Sequence, residues 1–309
     1  MAGSEPATDA SLLDGIDAES VYREVDGVEL HAVAAGDESD PLVVLLHGYP
    51  EFWYGWHGQI PRLVDAGYRV LAPDQRGYNL SDRPEGVRPY RIERLSADIA
   101  ALVASEGRDS AHVVGHDWGA AVAWDLALRR PGVVDRLGIL NVPHPTVFED
   151  RLTSDLGQMR KSWYMFFYQL PRLPEWYVSR DDYAEFVSAF RTANPGAFSG
   201  EVIDRYRASW ETAGSVAGMI NWYRALFRHG EDPPREQVPQ PTLVLWGVAD
   251  PYLRPEMGPE SVEYCEDGRL ERLSDATHWL HHERPDAVAD HLLEHLDGRE
   301  ERAVDADAQ

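Results

Sequence analysis

The chain is 309 residues long, 43% hydrophobic and 10% aromatic, and carries a formal net charge of −24. Its length suits one large α/β domain with an insertion, or about two domains, and its composition is that of a globular chain, not a disordered one. The acidic balance argues against nucleic acid and membrane partners, whose anionic surfaces want basic patches, and no apolar run reaches the roughly 20 residues that span a bilayer.

Residues 1–20 read as an acidic leader with neither the basic n-region nor the apolar h-region of a signal peptide, so a cytoplasmic location is expected. Lys161 is the only lysine. An acidic, arginine-dependent chain of this kind fits a halophilic, acidic proteome, in which molar salt relieves surface repulsion; codon bias produces the same composition.

From Val21 to Gly36, two alternating segments flank Asp26-Gly27, which predicts a hairpin. "PLVVLLHG" (Pro41 to Gly48) is a continuous apolar run bounded by turn residues, as expected of a strand buried on both faces. The pattern returns in "YRVLAPD" (Tyr68 to Asp74), "AHVVGHD" (Ala111 to Asp117), "RLGILNVP" (Arg136 to Pro143) and "PTLVLWG" (Pro241 to Gly247). Helical patterns lie between them, at Arg91 to Gly107 and Trp118 to Gly132. Alternating β and α units predict an α/β fold, a mostly parallel sheet with helices on both faces. Residues 146–238 break the rhythm: no buried strand, many aromatics. They read as a helical cap inserted between two core segments, 21–145 and 239–298, with an acidic tail at 299–309. Cys265, the only cysteine, rules out an intrachain disulfide and a cysteine metal site.

The stretch "VVGHDWGA" (Val113 to Ala120) is a strand, a tight turn between glycines and a helix start, with Asp117 at the bend. Gly-x-nucleophile-x-Gly holds one side chain up at such a turn in α/β-hydrolases, where that side chain is usually serine. An aspartate there is also a good N-cap. The rest of the chain discriminates. Those hydrolases order their residues nucleophile, acid, histidine, and Asp250 follows the strand ending near Trp246 while His278 follows the next strand-like segment. "HGYP" (His47, Gly48, Tyr49 and Pro50) closes an earlier strand, where the Tyr49 N–H can point at the same place as the Trp118 N–H and form an oxyanion hole. His278, His281 and His282 have a superficially metal-like spacing, but no second ligand cluster is apparent, so neither metal nor cofactor is expected.

Together "HGYP", "DQRGYNLSDRP", "GHDWGAAVAW", "WGVADPYL" and "ATHWLHHERPD" resemble the epoxide hydrolases of the α/β-hydrolase fold, from about Val21 to Leu296. The cap segments "SWYMFFYQLPRLPE" and "INWYRALFR" are similar to that family too. The resemblance implies that Asp117 is the nucleophile, His278 the base and Asp250 the acid that orients it. It implies that Tyr223 and Tyr164 are paired phenols that hold the epoxide oxygen, with Tyr168, one helical turn on, competing with Tyr164. Trp163, Phe166, Phe167, Trp176 and Trp222 are assigned to core packing or an apolar pocket wall.

A carboxylate fits this chemistry because an epoxide offers a saturated carbon, which a carboxylate displaces from behind without first losing a proton. The implied partners are a small hydrophobic epoxide and water; oligomeric state is not legible. A haloalkane or haloacetate dehalogenase would share the aspartate and histidine. The former typically has Asn where this chain has Tyr49, and the latter Arg where it has Trp118. A non-catalytic binding module of the same fold would usually lack the nucleophile or the histidine.

Overall fold

The computed structural model describes residues 8–13 and 15–298. The expected tail at 299–309 lies outside them. Eight strands form one sheet: β1 (Ala18–Val25), β2 (Val28–Ala35), β3 (Leu42–Leu46), β4 (Arg69–Pro73), β5 (Ala111–His116), β6 (Val134–Leu140), β7 (Thr242–Gly247) and β8 (Gly268–Leu273). Their order is β1-β2-β4-β3-β5-β6-β7-β8, antiparallel at the β1/β2 and β2/β4 pairs and parallel elsewhere. The hairpin turns at Asp26 and Gly27, with φ of 45° and 77°, the left-handed pair whose twist matches that of the strands. β1 starts at Ala18, inside the stretch expected as leader, because the register with β2 continues to the Ala18–Ala35 pair.

Core helices are α1 (Ile60–Asp65), α2 (Ile92–Ser105) and α3 (Trp118–Arg129). Seven more helices lie between β6 and β7 among the described residues: α4 (Pro145–Ser154), α5 (Leu156–Lys161), α6 (Trp163–Phe167), α7 (Leu173–Ser179), α8 (Ala184–Phe190), α9 (Gly200–Glu211) and α10 (Ser215–His229). The chain returns to the core through α11 (Met257–Val262), α12 (Leu280–Glu283) and α13 (Pro285–Leu296).

The central strands β3 and β7 are buried along their whole length, and β5 at every position but His112, which is why they read as apolar runs rather than alternating ones. The loops that leave the carboxyl ends of parallel strands converge on one edge of the sheet, the usual ligand side of such folds. Those loops carry Tyr49 after β3, Asp117 after β5, Asn141 after β6, Asp250 after β7 and His278 after β8.

The turn from β5 into α3 demands small residues. A Cβ on Gly119 would lie 2.2 Å from the main-chain oxygen of Leu46, and one on Gly115 2.4 Å from that of Gly119. Backbone cannot yield as a side chain does, so Gly119→Ala is expected to cost about 3 kcal/mol in chemical denaturation by forcing α3 away from β3.

The helices between β6 and β7 are pinned over the sheet by indole N–H groups. Trp210 of α9 donates to the main-chain oxygen of Pro50 at 2.6 Å, and Trp222 of α10 to that of Arg76 at 2.9 Å. α9 is capped by the Ser199 hydroxyl, which accepts from Val202 N–H. Trp222 is buried, as expected of a packing aromatic, and Trp163, though half exposed, lines a cavity, whereas Phe166 and Trp176 point to solvent.

Candidate active site

Asp117 sits at the bend with φ 48° and ψ −122°, a strained conformation for a residue with a side chain. Although it occupies the N-cap position of α3, its carboxylate accepts no capping hydrogen bond from that helix. The side chain turns the other way, and its Oδ1 accepts the Tyr49 N–H at 2.7 Å. Gly48 permits this approach: a Cβ there would lie 2.5 Å from that of Asp117. His47 braces the loop, its Nδ1 donating to the Gly48 carbonyl at 2.9 Å and its Nε2 accepting the Gln75 N–H at 3.1 Å. The Trp118 N–H makes no hydrogen bond to the carboxylate among the described residues, so only Tyr49 of the two expected donors engages it.

His278 lies across from Asp117, with Nε2 3.5 Å from Oδ2, and its Nδ1 donates to Asp250 Oδ2 at 2.7 Å. His278 and Asp250 are buried, and Asp117 is half-buried where it faces the cavity. Burial pulls the His278 ring toward neutrality, but the Asp250 and Asp117 carboxylates overcome it and push the ring up to about 10. Burial opposes the ionised form of Asp117 as well, yet His278, His116 and the Tyr49 N–H hold its carboxyl below the usual carboxylate range.

Asp250 is fixed on every side. Its Oδ1 accepts the N–H groups of Tyr252 and Leu253 at 2.7 and 2.9 Å, and its Oδ2 accepts the Asn141 amide at 2.5 Å besides the imidazole. Asn141 in turn accepts the Gly247 N–H at 2.7 Å, joining the ends of β6 and β7. Sequence reasoning missed Asn141; the available signal was a lone amide ending an apolar strand in "GILNVP".

Glu51, next to "HGYP", was missed too. It is buried and accepts from Tyr206 at 3.0 Å, while His116 Nδ1 lies 2.9 Å away, His282 Nε2 2.8 Å and His281 Nε2 3.3 Å. Burial alone would raise its carboxyl, but the imidazoles hold it well below the usual range. The other ring nitrogen of His116 meets the main-chain oxygen of His278 at 2.9 Å. Glu51, His281 and His282 also have the spacing of a metal-ligand set. His278 stands outside it, so the three-histidine pattern of the sequence does not converge on one point.

Tyr164 and Tyr223 line the cavity above Asp117, with ring centroids 5.8 Å apart. Tyr168 also lines it, but its hydroxyl accepts that of Tyr49 at 2.8 Å. Among the described residues no group bonds the hydroxyl of Tyr164 or Tyr223. Burial, together with the charge of Asp117, pushes both phenols well above the usual tyrosine range, so both keep their protons. The cavity encloses about 190 Å³ and has Trp163, Phe186, Leu253 and Trp279 in its walls.

The chain is similar to known proteins over most of its length. The family profile of the alpha/beta hydrolase fold matches residues 41–285. The chain is 44% identical to the AB hydrolase superfamily protein YfhM of Bacillus subtilis, over 92% of this chain and 99% of that protein. It is 38% identical to Epoxide hydrolase 1 of Caenorhabditis elegans, over 93% of this chain and 72% of that one. The crystal structure of an epoxide hydrolase of Bacillus megaterium in complex with an inhibitor superposes with a TM-score of 0.82 at 31% identity, over 90% of this chain and 100% of that chain.

The chain belongs to the epoxide hydrolases of the α/β-hydrolase fold. Membership makes it a hydrolase. Its pocket walls are aromatic and aliphatic apart from the acid, imidazole and phenols at the base and the polar side chains of Glu185 and Ser188 on α8 and of Thr192 just after it.

Proposed function

We propose that this hydrolase opens a hydrophobic epoxide to a vicinal diol through an alkyl ester on Asp117. The observation that carries the reading is the pairing of a carboxylate nucleophile with two protonated phenols across one small cavity. A carboxylate attacks saturated carbon directly, and an alkoxide leaving group needs a proton donor that a departing halide does not.

Asp117 Oδ1 is held by the Tyr49 N–H, which leaves Oδ2 as the attacking atom. Its electron pair forms the new C–O bond while the ring C–O bond breaks. Tyr164 and Tyr223 hydrogen-bond to the ring oxygen, and one of them gives it a proton.

Esterification then changes His278. The free site has two carboxylates beside the imidazole; the ester has one. With Asp117 neutral, the ring loses part of the support that holds it near 10, gives up its proton to restore the phenol deprotonated in ring opening, and becomes the base for water. That water attacks the ester carbonyl, whose oxygen, the former Oδ1, gathers charge against the Tyr49 N–H. Collapse breaks the bond between the ester carbon and the diol oxygen, which takes the proton the imidazole drew from water; the carboxyl left on Asp117 returns its proton to the imidazole and the carboxylate is regenerated. Asp250 keeps the imidazole oriented throughout.

The test is a substrate panel of styrene oxide, a long-chain aliphatic epoxide, 1-bromobutane and fluoroacetate, run in low and molar salt. Diol formation is expected, falling by about 10³-fold in the double Tyr164→Phe, Tyr223→Phe variant because both general acids are gone. Halide release without diol would instead establish a dehalogenase. A single turnover in ¹⁸O-water is expected to label Asp117 and not the diol; label in the first diol would mean direct attack by water on the ring.

A further inference from the structure

Of the large apolar side chains exposed among the described residues, all but Tyr22 belong to the segment between β6 and β7. They are not scattered. Leu156, Met159, Trp163, Phe166, Leu170 and Leu173 follow one another at steps of three and four, and Trp176 continues the series. Leu156 is 80% exposed, Trp176 60% and Trp163 54%. Gln158, Ser162 and Tyr168 on the same run are buried, and Gln158 donates to Ser162 and to the main-chain oxygen of Tyr252. Met165 and Val178 are buried beside them, yet most of the large apolar side chains of the run face outward, whereas a helix covering a core turns its apolar side inward.

Ring contacts make the face continuous. Phe166 packs on Phe227 with centroids 5.3 Å apart, Trp163 lies 6.0 Å from Phe167, and Phe167 lies 5.3 Å from Tyr177. The Arg180 guanidinium sits over the rings of Tyr177 and Trp176 at 4.4 and 5.6 Å. Trp163 also lines the catalytic cavity, so the face meets the pocket at its mouth.

Its charge opposes that of the chain. Residues 156–180 hold four cations, Arg160, Lys161, Arg172 and Arg180, against the single acid Glu175, in a molecule of net charge −24. Glu175 is paired with Arg224, and Lys161 turns inward to the carbonyls of Asp250 and Pro251. Arg160, Arg172 and Arg180 remain exposed, with Arg228 beside Phe227. The acids next along the chain, Asp181 and Asp182, pair with Arg180 and Arg207.

We propose that this face docks on an anionic lipid surface, with the apolar side chains among the acyl chains and the arginines at the headgroups. Exposed Trp, Phe and Leu rimmed by arginine is the composition of an interfacial helix. A second copy of the chain would bring cations against cations. The whole-chain charge excludes an anionic surface only at long range: at about 0.1 M salt the screening length is about 10 Å, so the nearest charges decide. Repulsion from the remaining acidic surface then turns this one face toward the lipid. Delivery of an apolar epoxide straight into the pocket mouth rests on the proposed function; docking does not.

Co-sedimentation with vesicles at about 0.1 M salt tests it, comparing pure phosphatidylcholine with a mixture containing about one third phosphatidylglycerol. The protein is expected to bind the anionic vesicles and not the neutral ones. Phe166→Ser with Trp176→Ser, and separately Arg160→Glu with Arg172→Glu, should each weaken partitioning about tenfold or more, with circular dichroism and diol formation from a water-soluble epoxide unchanged. Absence of wild-type binding, equal binding to both vesicles, or binding retained in both variants would overturn the proposal. So would a vesicle-free dimer that the same variants dissociate, which would assign the face to a second copy. Because binding is read without turnover, failure of the proposed reaction leaves this test intact.

Discussion

Asp117→Asn is expected to abolish diol formation, by on the order of 10⁵-fold, while leaving the fold intact. The amide is nearly isosteric with the carboxylate, and its oxygen can still accept the Tyr49 N–H that meets Oδ1 at 2.7 Å. What it lacks is a nucleophilic oxygen. The variant also reproduces the charge of the esterified enzyme, and this gives the second readout. His278 is held at about 10 against the effect of burial by the two carboxylates beside it, Asp250 and Asp117. Removing one charge favours the neutral ring, so the imidazole should titrate at lower pH in Asp117→Asn than in the native protein. Proton NMR of the ring Cε1–H follows this directly. An unshifted titration would mean that Asp117 does not control the base, and the proposed change of role during turnover would fail with it.

His278→Gln should separate the two halves of the reaction. Attack by Asp117 requires the carboxylate and the phenols, none of which the substitution removes; hydrolysis of the ester requires the base. Turnover is expected to fall by about 10³-fold or more while one equivalent of substrate is consumed rapidly. Mass spectrometry of the peptide holding Asp117 should then show the added mass of one substrate molecule. Loss of turnover with no adduct would place His278 before the covalent step and sink the assignment of a hydrolytic base. The side chain sits between Asp250 and Asp117, so loss of its charge also leaves two buried carboxylates facing each other, and a thermal denaturation control must accompany the kinetics.

Much of the framework is written locally in the chain. The buried strands announce themselves as apolar runs because both sheet faces are covered, as in "PLVVLLHG" and "PTLVLWG". The bend at Asp117 is legible because its two glycines answer a close approach of backbone to backbone, a demand no other residue meets. The order of Asp117, Asp250 and His278 follows from strand ends that a parallel sheet brings to one edge.

Other features depend on which groups meet after folding. That Asp117 turns from its helix toward the Tyr49 N–H, and is no cap, is decided by a loop 68 residues away in sequence. Tyr164 and Tyr168 are equivalent in the sequence, one helical turn apart; only the packing of Tyr49 against Tyr168 occupies one hydroxyl and leaves the other facing the cavity. Asn141 and Glu51 have no motif of their own, since their partners come from distant loops. The stripe from Leu156 to Trp176 makes the same point for a surface. Periodicity determines that one side of a helix is apolar, but whether that side meets a core or water is set by how the helix is laid on its neighbours, and here the buried side is the one bearing Gln158, Ser162 and Tyr168.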